Sequence, residues 1–150
     1  MKHIKLLSLV LAVSFLSQAQ SPVSWTYSAK KLSTGVFEVH LTASIENGWH
    51  VYAQEQPEDA IAMPTSFKFT RNPVVLLQGK VKEVGKKELF KDEVVGIAAY
   101  QYEDKVDFVQ QVQLKIKGKT NLNGTISFQA CTNERCLPLA TADFSINLED

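Results

Sequence analysis

The chain has 150 residues, with 16 Lys and Arg against 16 Asp and Glu and only two cysteines. The formal net charge of zero includes Lys2 and Lys5 of the first segment, so the remainder is slightly acidic. That excludes nucleic acid as a natural partner, because phosphate binding needs a clear basic excess. The length fits one domain, large enough to bury a core without a covalent staple.

The first segment carries an export pattern. Met1-Lys2-His3-Ile4-Lys5 is basic, Leu6 to Leu16 is apolar apart from Ser8 and Ser14, and Ser17-Gln18-Ala19 supplies small residues. This reads as a cleaved secretory signal over residues 1–19, with cleavage near Ala19 and a single domain over residues 20–150. The apolar run is too short to span a bilayer. No later stretch is apolar for 18 residues, so a soluble, periplasmic product is expected.

From there the period is two. Ser24 to Ala29 is a short candidate strand. Phe37, Val39, Leu41, Ala43 and Ile45 alternate with polar residues. Val51 to Ala53, Ser66 to Thr70 and Val74 to Val84 follow. Val106, Phe108, Val112, Leu114 and Ile116 share one parity, interrupted by Gln110. Ile126, Phe128 and Ala130 share another, as do Ala140, Ala142, Phe144, Ile146 and Leu148. Such alternation marks half-buried strands. Turn signals stand at Asn47-Gly48, Asn72-Pro73, Lys117-Gly118 and Asn123-Gly124. Asn123-Gly124-Thr125 also fits a glycosylation sequon, but a hairpin turn accounts for it. Seven to nine strands and no helical stripe predict an all-β, immunoglobulin-like antiparallel β-sandwich.

Cys131 and Cys136 lie near the end of the chain, and in an exported protein they should be oxidised to each other. A loop of about six residues yields only roughly 2 kcal/mol of entropic stabilisation, against roughly 4.7 for a hundred-residue loop. Close spacing is instead what thiol–disulfide exchange requires, since the second thiol must resolve the mixed disulfide formed by the first. A local structural disulfide stays open as the alternative. Cys131 opposes the parity of Ile126 and Phe128, so a regular strand would point it away from the core. Thr132-Asn133-Glu134-Arg135 would then form an accessible loop, with Pro138 limiting ladder bonding after it.

Three segments occur in one order: Gly48-Trp49-His50-Val51-Tyr52-Ala53-Gln54, then Met63-Pro64-Thr65-Ser66-Phe67, then Phe128-Gln129-Ala130-Cys131 through Cys136-Leu137-Pro138. In this the chain, from about Pro22 to Leu148, resembles the N-terminal periplasmic domain of the thiol:disulfide interchange protein DsbD. The resemblance implies an immunoglobulin-like sandwich with a redox-active cysteine pair and no bound cofactor. It implies Cys136 as the exchanging thiol and Cys131 as the resolving one. Its partners would be thioredoxin-fold periplasmic proteins of the disulfide isomerase or cytochrome c maturation type. Phe90 resembles the family's cap residue, which shields the cysteines from stray oxidation, with Glu88 at a nearby acidic position. His50 and Tyr52 match aromatic side chains placed against the site. The family usually has five residues between the cysteines and a second proline afterwards; here there are four, and Leu139 stands at the second position. The segment from Phe90 to Tyr102 is longer than usual. With neither membrane spans nor a thioredoxin-like domain before Asp150, electrons are expected from a membrane electron transporter acting in trans.

Bland readings stand beside these. Phe90 and Tyr52 could be core or rim aromatics, Trp49 packing, and Arg135 a solvated cation. His50 could be an ordinary exposed histidine, or a protonated imidazole favouring thiolate. A metal site from Cys131, Cys136, His40, His50 and the soft ligand Met63 lacks any paired ligand spacing, so no metal is expected. Lys80, Lys82, Lys86, Lys87 and Lys91 read as a solvated face. No nucleophile motif such as G-x-S-x-G occurs, and no small-molecule substrate is expected. The remaining alternative is a passive interaction module with a structural hairpin disulfide.

Overall fold

Alternating burial builds the frame. The computed structural model describes residues 20–150 and contains eleven strands and no helix among them. The expected signal peptide, residues 1–19, lies outside the described residues. Strands β1 (Val23–Ser33), β2 (Val36–Ile45), β5 (Val75–Gly85) and β8 (Lys105–Leu114) form one sheet in the order β1-β2-β8-β5. Strands β4 (Ser66–Phe69), β9 (Lys119–Phe128) and β11 (Ala140–Glu149) form a second, ordered β11-β9-β4. The third and smallest holds β3 (His50–Tyr52), β6 (Glu88–Asp92), β7 (Ile97–Tyr102) and β10 (Ala130–Cys131), ordered β10-β3-β7-β6. All pairings are antiparallel. The expected immunoglobulin-like antiparallel β-sandwich is the fold.

The predicted apolar stripes form its core. Phe37, Val39, Leu41, Ala43 and Ile45 from β2 and Val106, Phe108, Val112 and Leu114 from β8 are buried with Leu122, Ile126 and Phe128 from β9 and Phe144, Ile146 and Leu148 from β11. Phe108 is the hub: the rings of Trp25, Phe67 and Tyr102 lie 5.9, 4.9 and 6.4 Å from it. These tilted and edge-on contacts add to the area the rings bury.

Gln110 interrupts the β8 stripe for a structural reason. The register between β5 and β8 shifts between Gln78 and Lys82, and Gly79 there has φ +70°. The buried Gln110 amide donates to the Gln78 carbonyl at 3.0 Å, filling hydrogen bonds that the irregular ladder leaves open. Ile116 falls beyond the end of β8 and is exposed.

Three expectations need correction. Asn123-Gly124 is not a turn: it lies inside β9, with Gly124 opposite Phe144 on one side and Phe69 on the other. A Cβ at Gly124 would run into the Phe144 ring and the Lys68 carbonyl, so the glycine is there for close approach rather than reversal. The strand count exceeds nine, because β6, β7 and β10 were not legible as alternating segments. Finally, Cys131 is fully buried rather than pointing outward. The chain leaves β9 at Phe128, passes Gln129 and enters the small sheet as β10, so parity is not carried across the switch.

Candidate functional site

The disulfide site is built by the small sheet and the loop that closes it. Cys131 and Cys136 are bonded to each other and face one another as an isolated antiparallel bridge. Between them Thr132 N–H donates to the Arg135 carbonyl at 2.7 Å. The Thr132 hydroxyl oxygen accepts from the Glu134 and Arg135 N–H groups at 3.2 and 3.1 Å. A threonine at the loop's first position thus satisfies two backbone N–H groups of the turn. Below the bridge, Leu137 N–H donates to the Ala130 carbonyl, and the Gln129 amide donates to the Leu137 carbonyl. The return segment is thereby fixed without a regular ladder.

The two sulfurs sit in different surroundings. Cys131 is paired across the sheet with His50 and has no exposed surface. Cys136 is exposed and lines a cleft of about 310 Å³ together with His50, Tyr52, Phe90 and the loop Thr132 to Arg135. One sulfur is therefore open to an incoming thiol or disulfide and the other is not.

His50 is 5% exposed and packs edge-on against Tyr52, ring centres 5.3 Å apart. Burial lowers its pKa, so at neutral pH the imidazole is uncharged. That replaces the cationic role considered for it: a neutral ring beside the site accepts a proton rather than stabilising a thiolate by charge. Tyr52 places its hydroxyl 3.9 Å from the Cys136 sulfur, and burial raises its pKa, keeping it a phenol. Its strand is pinned from behind, where the buried Thr65 hydroxyl donates to the Tyr52 carbonyl at 2.6 Å. The Met63 to Phe67 motif thus serves the site indirectly, Thr65 holding β3 and Phe67 packing on Phe108.

Phe90 lies on β6, not on a loop, opposite Ala99 of β7, and it reaches the same cleft as Cys136 while 38% exposed. Glu88 is two residues away on the same strand but forms no wall of the cleft; its carboxylate pairs with Lys86 at 2.5 Å. The hairpin tip beyond Phe90 carries Val94 and Val95, both strongly exposed. Trp49 does more than pack on the core: the Arg135 guanidinium lies 5.4 Å from the centre of its ring, tying the loop between the cysteines to the start of β3. His40 is engaged elsewhere, its Nδ1 2.7 Å from the Asp107 carboxylate between β2 and β8. His40 therefore does not join His50 and the two cysteines, so the nominal four-ligand set is not assembled.

Six residues of the cleft were missed: Ile61, Ala62, Asp92, Ile97, Ala99 and Gln101. Gln101 and Ile97 belong to β7, whose mixed sequence gives no alternating signal; Ile61 sits outside any strand. A larger cleft of about 810 Å³ lies against Lys80, Lys82, Glu83 and Lys87, away from the disulfide. Burial would raise the Glu83 carboxyl, but hydrogen bonds from Gln54 N–H, Lys87 and Tyr102 outweigh it and hold the group below its usual range. This is an internally satisfied network that fastens β5 to β7.

A family model described as thiol:disulfide interchange protein DsbD, N-terminal, matches residues 15–148. No curated protein sequence matches the chain. Among solved structures, the fold is similar to the N-terminal periplasmic domain of ScsB from Proteus mirabilis, with TM-score 0.55 and 22% identity. That match covers 87% of this chain and 47% of the other, so the chain spans about half its length. It is also similar to the reduced DsbD N-terminal domain of Neisseria meningitidis, with TM-score 0.53 and 13% identity over 84% of this chain and 86% of that one. A third structure, with TM-score 0.52 and 14% identity, is the complex between the DsbD and PilB N-terminal domains of Neisseria meningitidis. It is matched over 85% of this chain and 87% of the other.

Proposed function

The chain belongs to the family of the N-terminal domain of the thiol:disulfide interchange protein DsbD, and on that premise we propose that it is a periplasmic thiol–disulfide exchange module. The single observation that carries the reading is the asymmetry of the disulfide: Cys131 is buried and Cys136 stands open at the cleft. In the reduced protein, the Cys136 thiolate attacks one sulfur of a partner's disulfide. A mixed disulfide forms and the partner's other sulfur leaves as a thiolate, which takes up a proton. Cys131, deprotonated, then attacks the Cys136 sulfur, reforms the intramolecular disulfide and releases the second partner thiol. Two electrons and two protons pass to the partner.

Around this step, Tyr52 and neutral His50 flank the exchanging sulfur and Phe90 screens it from small oxidants. Glu88, turned toward Lys86, acts on the cap strand rather than on sulfur. The partners are thioredoxin-fold periplasmic proteins, and electrons come from a membrane transporter in trans. The Neisseria DsbD domain caught with a PilB domain supports a protein as the partner. Residues 1–19 act as the export signal. No cofactor is required, because the sulfurs carry the electrons themselves.

The deciding measurement is the equilibrium reduction potential of Cys131–Cys136 in redox buffers, with Cys131→Ser used alongside to trap a partner. A potential between about −200 and −270 mV, with a thioredoxin-fold protein captured through Cys136, is the expected result. A value below about −300 mV with nothing captured would make the bridge a strut.

A further inference from the structure

Cys131 and Cys136 oppose each other as an antiparallel pair, with a backbone hydrogen bond on either side of them. On the sheet side Leu137 N–H donates to the Ala130 carbonyl at 2.9 Å, and on the turn side Thr132 N–H donates to the Arg135 carbonyl at 2.7 Å. The cysteines thus hold the non-hydrogen-bonded position of a miniature hairpin, where opposite Cα atoms come closest. Here those atoms are 4.0 Å apart. Neither hydrogen bond involves sulfur, so the forces that close the hairpin are separate from the S–S bond. One side chain knits the turn. The Thr132 hydroxyl oxygen accepts from Glu134 N–H at 3.2 Å and Arg135 N–H at 3.1 Å, and its O–H is 3.3 Å from the Arg135 carbonyl. Thr132-Asn133-Glu134-Arg135 contains neither glycine nor proline, the residues that preset a turn through the backbone alone. Closure of this loop therefore depends on the threonine hydroxyl.

We propose that Thr132 is a positioning residue for the resolving step: it keeps the hairpin closed while the disulfide is open, and so holds Cys131 against the Cys136 sulfur. The inference rests on the exchange reading of the site and adds what sets the reducing strength of the pair. Two thiols on an unconstrained link must search for each other, and a turn already closed by hydrogen bonds removes that search. The step begins with Cys136 bonded to a partner sulfur. Cys131 gives its proton to solvent, and its thiolate attacks the Cys136 sulfur. The Cys131–Cys136 bond forms, the bond to the partner breaks, and the partner sulfur leaves as a thiolate that takes up a proton. Thr132 changes no bond in this sequence. Without its hydroxyl the turn opens, so the dithiol becomes a weaker reductant and the mixed disulfide lives longer.

The test measures the equilibrium constant for oxidation of the dithiol by oxidised glutathione in the parent, Thr132→Val and Thr132→Ser, with exchange between the parent and thioredoxin followed alongside. The constant should fall about 3- to 10-fold in Thr132→Val, the loss expected for one or two hydrogen bonds near the surface. A tenfold fall is a shift of about 30 mV toward the oxidising side. Thr132→Ser, which keeps the hydroxyl, should stay within about twofold of the parent. An unchanged constant in Thr132→Val, or a Ser variant shifted as far as the Val variant, overturns the inference; exchange between the parent and thioredoxin then leaves the exchange reading intact. A parent that exchanges with neither glutathione nor thioredoxin overturns both. Should the Val variant not fold, the Hα–Hα NOE between Cys131 and Cys136 in the reduced parent decides. Its persistence means that the hairpin stays closed without the S–S bond, and its loss overturns the inference.

Discussion

The long strands of the large sheets and the small sheet distribute polarity differently. Along β2, β8, β9 and β11 the buried side chains are nearly all aliphatic or aromatic and their neighbours on the other face polar. In the small sheet the polar His50 and Gln101 are buried beside Val51, Ala99, Tyr102 and Ala130, while Leu89 and Phe90 on β6 and Val94 and Val95 at the hairpin tip are exposed. A sandwich gains more stability from the first arrangement than from the second. The mixed region is where the disulfide lies, so the molecule separates a stabilising body from a reactive end. Strand lengths agree: ten or eleven residues for β1, β2, β5, β8, β9 and β11, but two and three for β10 and β3.

This division can be broken by substitution on either side. The largest effect belongs to the reactive end: Cys136→Ser should abolish exchange with thioredoxin, and Cys131→Ser should accumulate a mixed disulfide, both seen by non-reducing electrophoresis. Either change should cost only roughly 2 kcal/mol of stability, since the loop closed is short. Activity surviving in Cys136→Ser would place the chemistry elsewhere.

In the body, Phe108→Ala should cost about 3–5 kcal/mol by urea denaturation, the range for an aromatic removed from a packed core. Exchange at Cys136 should persist in whatever fraction stays folded. A loss below about 1 kcal/mol would mean that Phe108 is not the hub of the packing. Gly124→Ala tests the same body from the overpacking side. The added methyl meets Phe144 and the Lys68 carbonyl, and a destabilisation of about 1–3 kcal/mol is expected. A neutral or stabilising result would return Gly124 to the turn role its sequence suggests.

Phe90→Ala should separate function from stability. On an exposed edge strand its stability effect should stay within about 0.5 kcal/mol. Oxidation of the reduced protein by small oxidants should nevertheless accelerate several-fold, followed by thiol alkylation. Equal oxidation rates would remove Phe90 as a screen.

The smallest effect is a pH dependence of stability. His50 has a folded pKa below its unfolded value of about 6.5. As pH falls below about 6.5, the unfolded chain takes up the proton first, so stability is lost until the folded pKa is passed. Urea midpoints measured from pH 7.5 downward should decline more for the parent than for His50→Gln; parallel curves would mean that burial does not disfavour the charged ring.

Much of the body was legible in the sequence, because an amphipathic strand must alternate with period two to put one face inside. Phe37 to Ile45 and Phe144 to Leu148 needed nothing else. The cysteine pair was legible too, as the chain's only two sulfhydryl residues at short spacing. Family resemblance, not periodicity, brought His50, Tyr52 and Phe90 into view, and the structure gathers all three at the Cys136 cleft. Glu88 shares the strand but not the wall. Gln101 and Arg135 on Trp49 carried no local signal at all.

The sequence by itself therefore determined the all-β class, the faces of the long strands and the identity of the sulfurs. Only the tertiary structure decided that the chain changes sheets at Gln129, that Cys131 is enclosed while Cys136 is open, and that Gly124 lies beneath an aromatic ring. The physical reason is range. Side-chain alternation is a property of neighbouring residues, whereas burial at a sheet switch, and the company a glutamine keeps across three strands, depend on pairings between residues tens of positions apart.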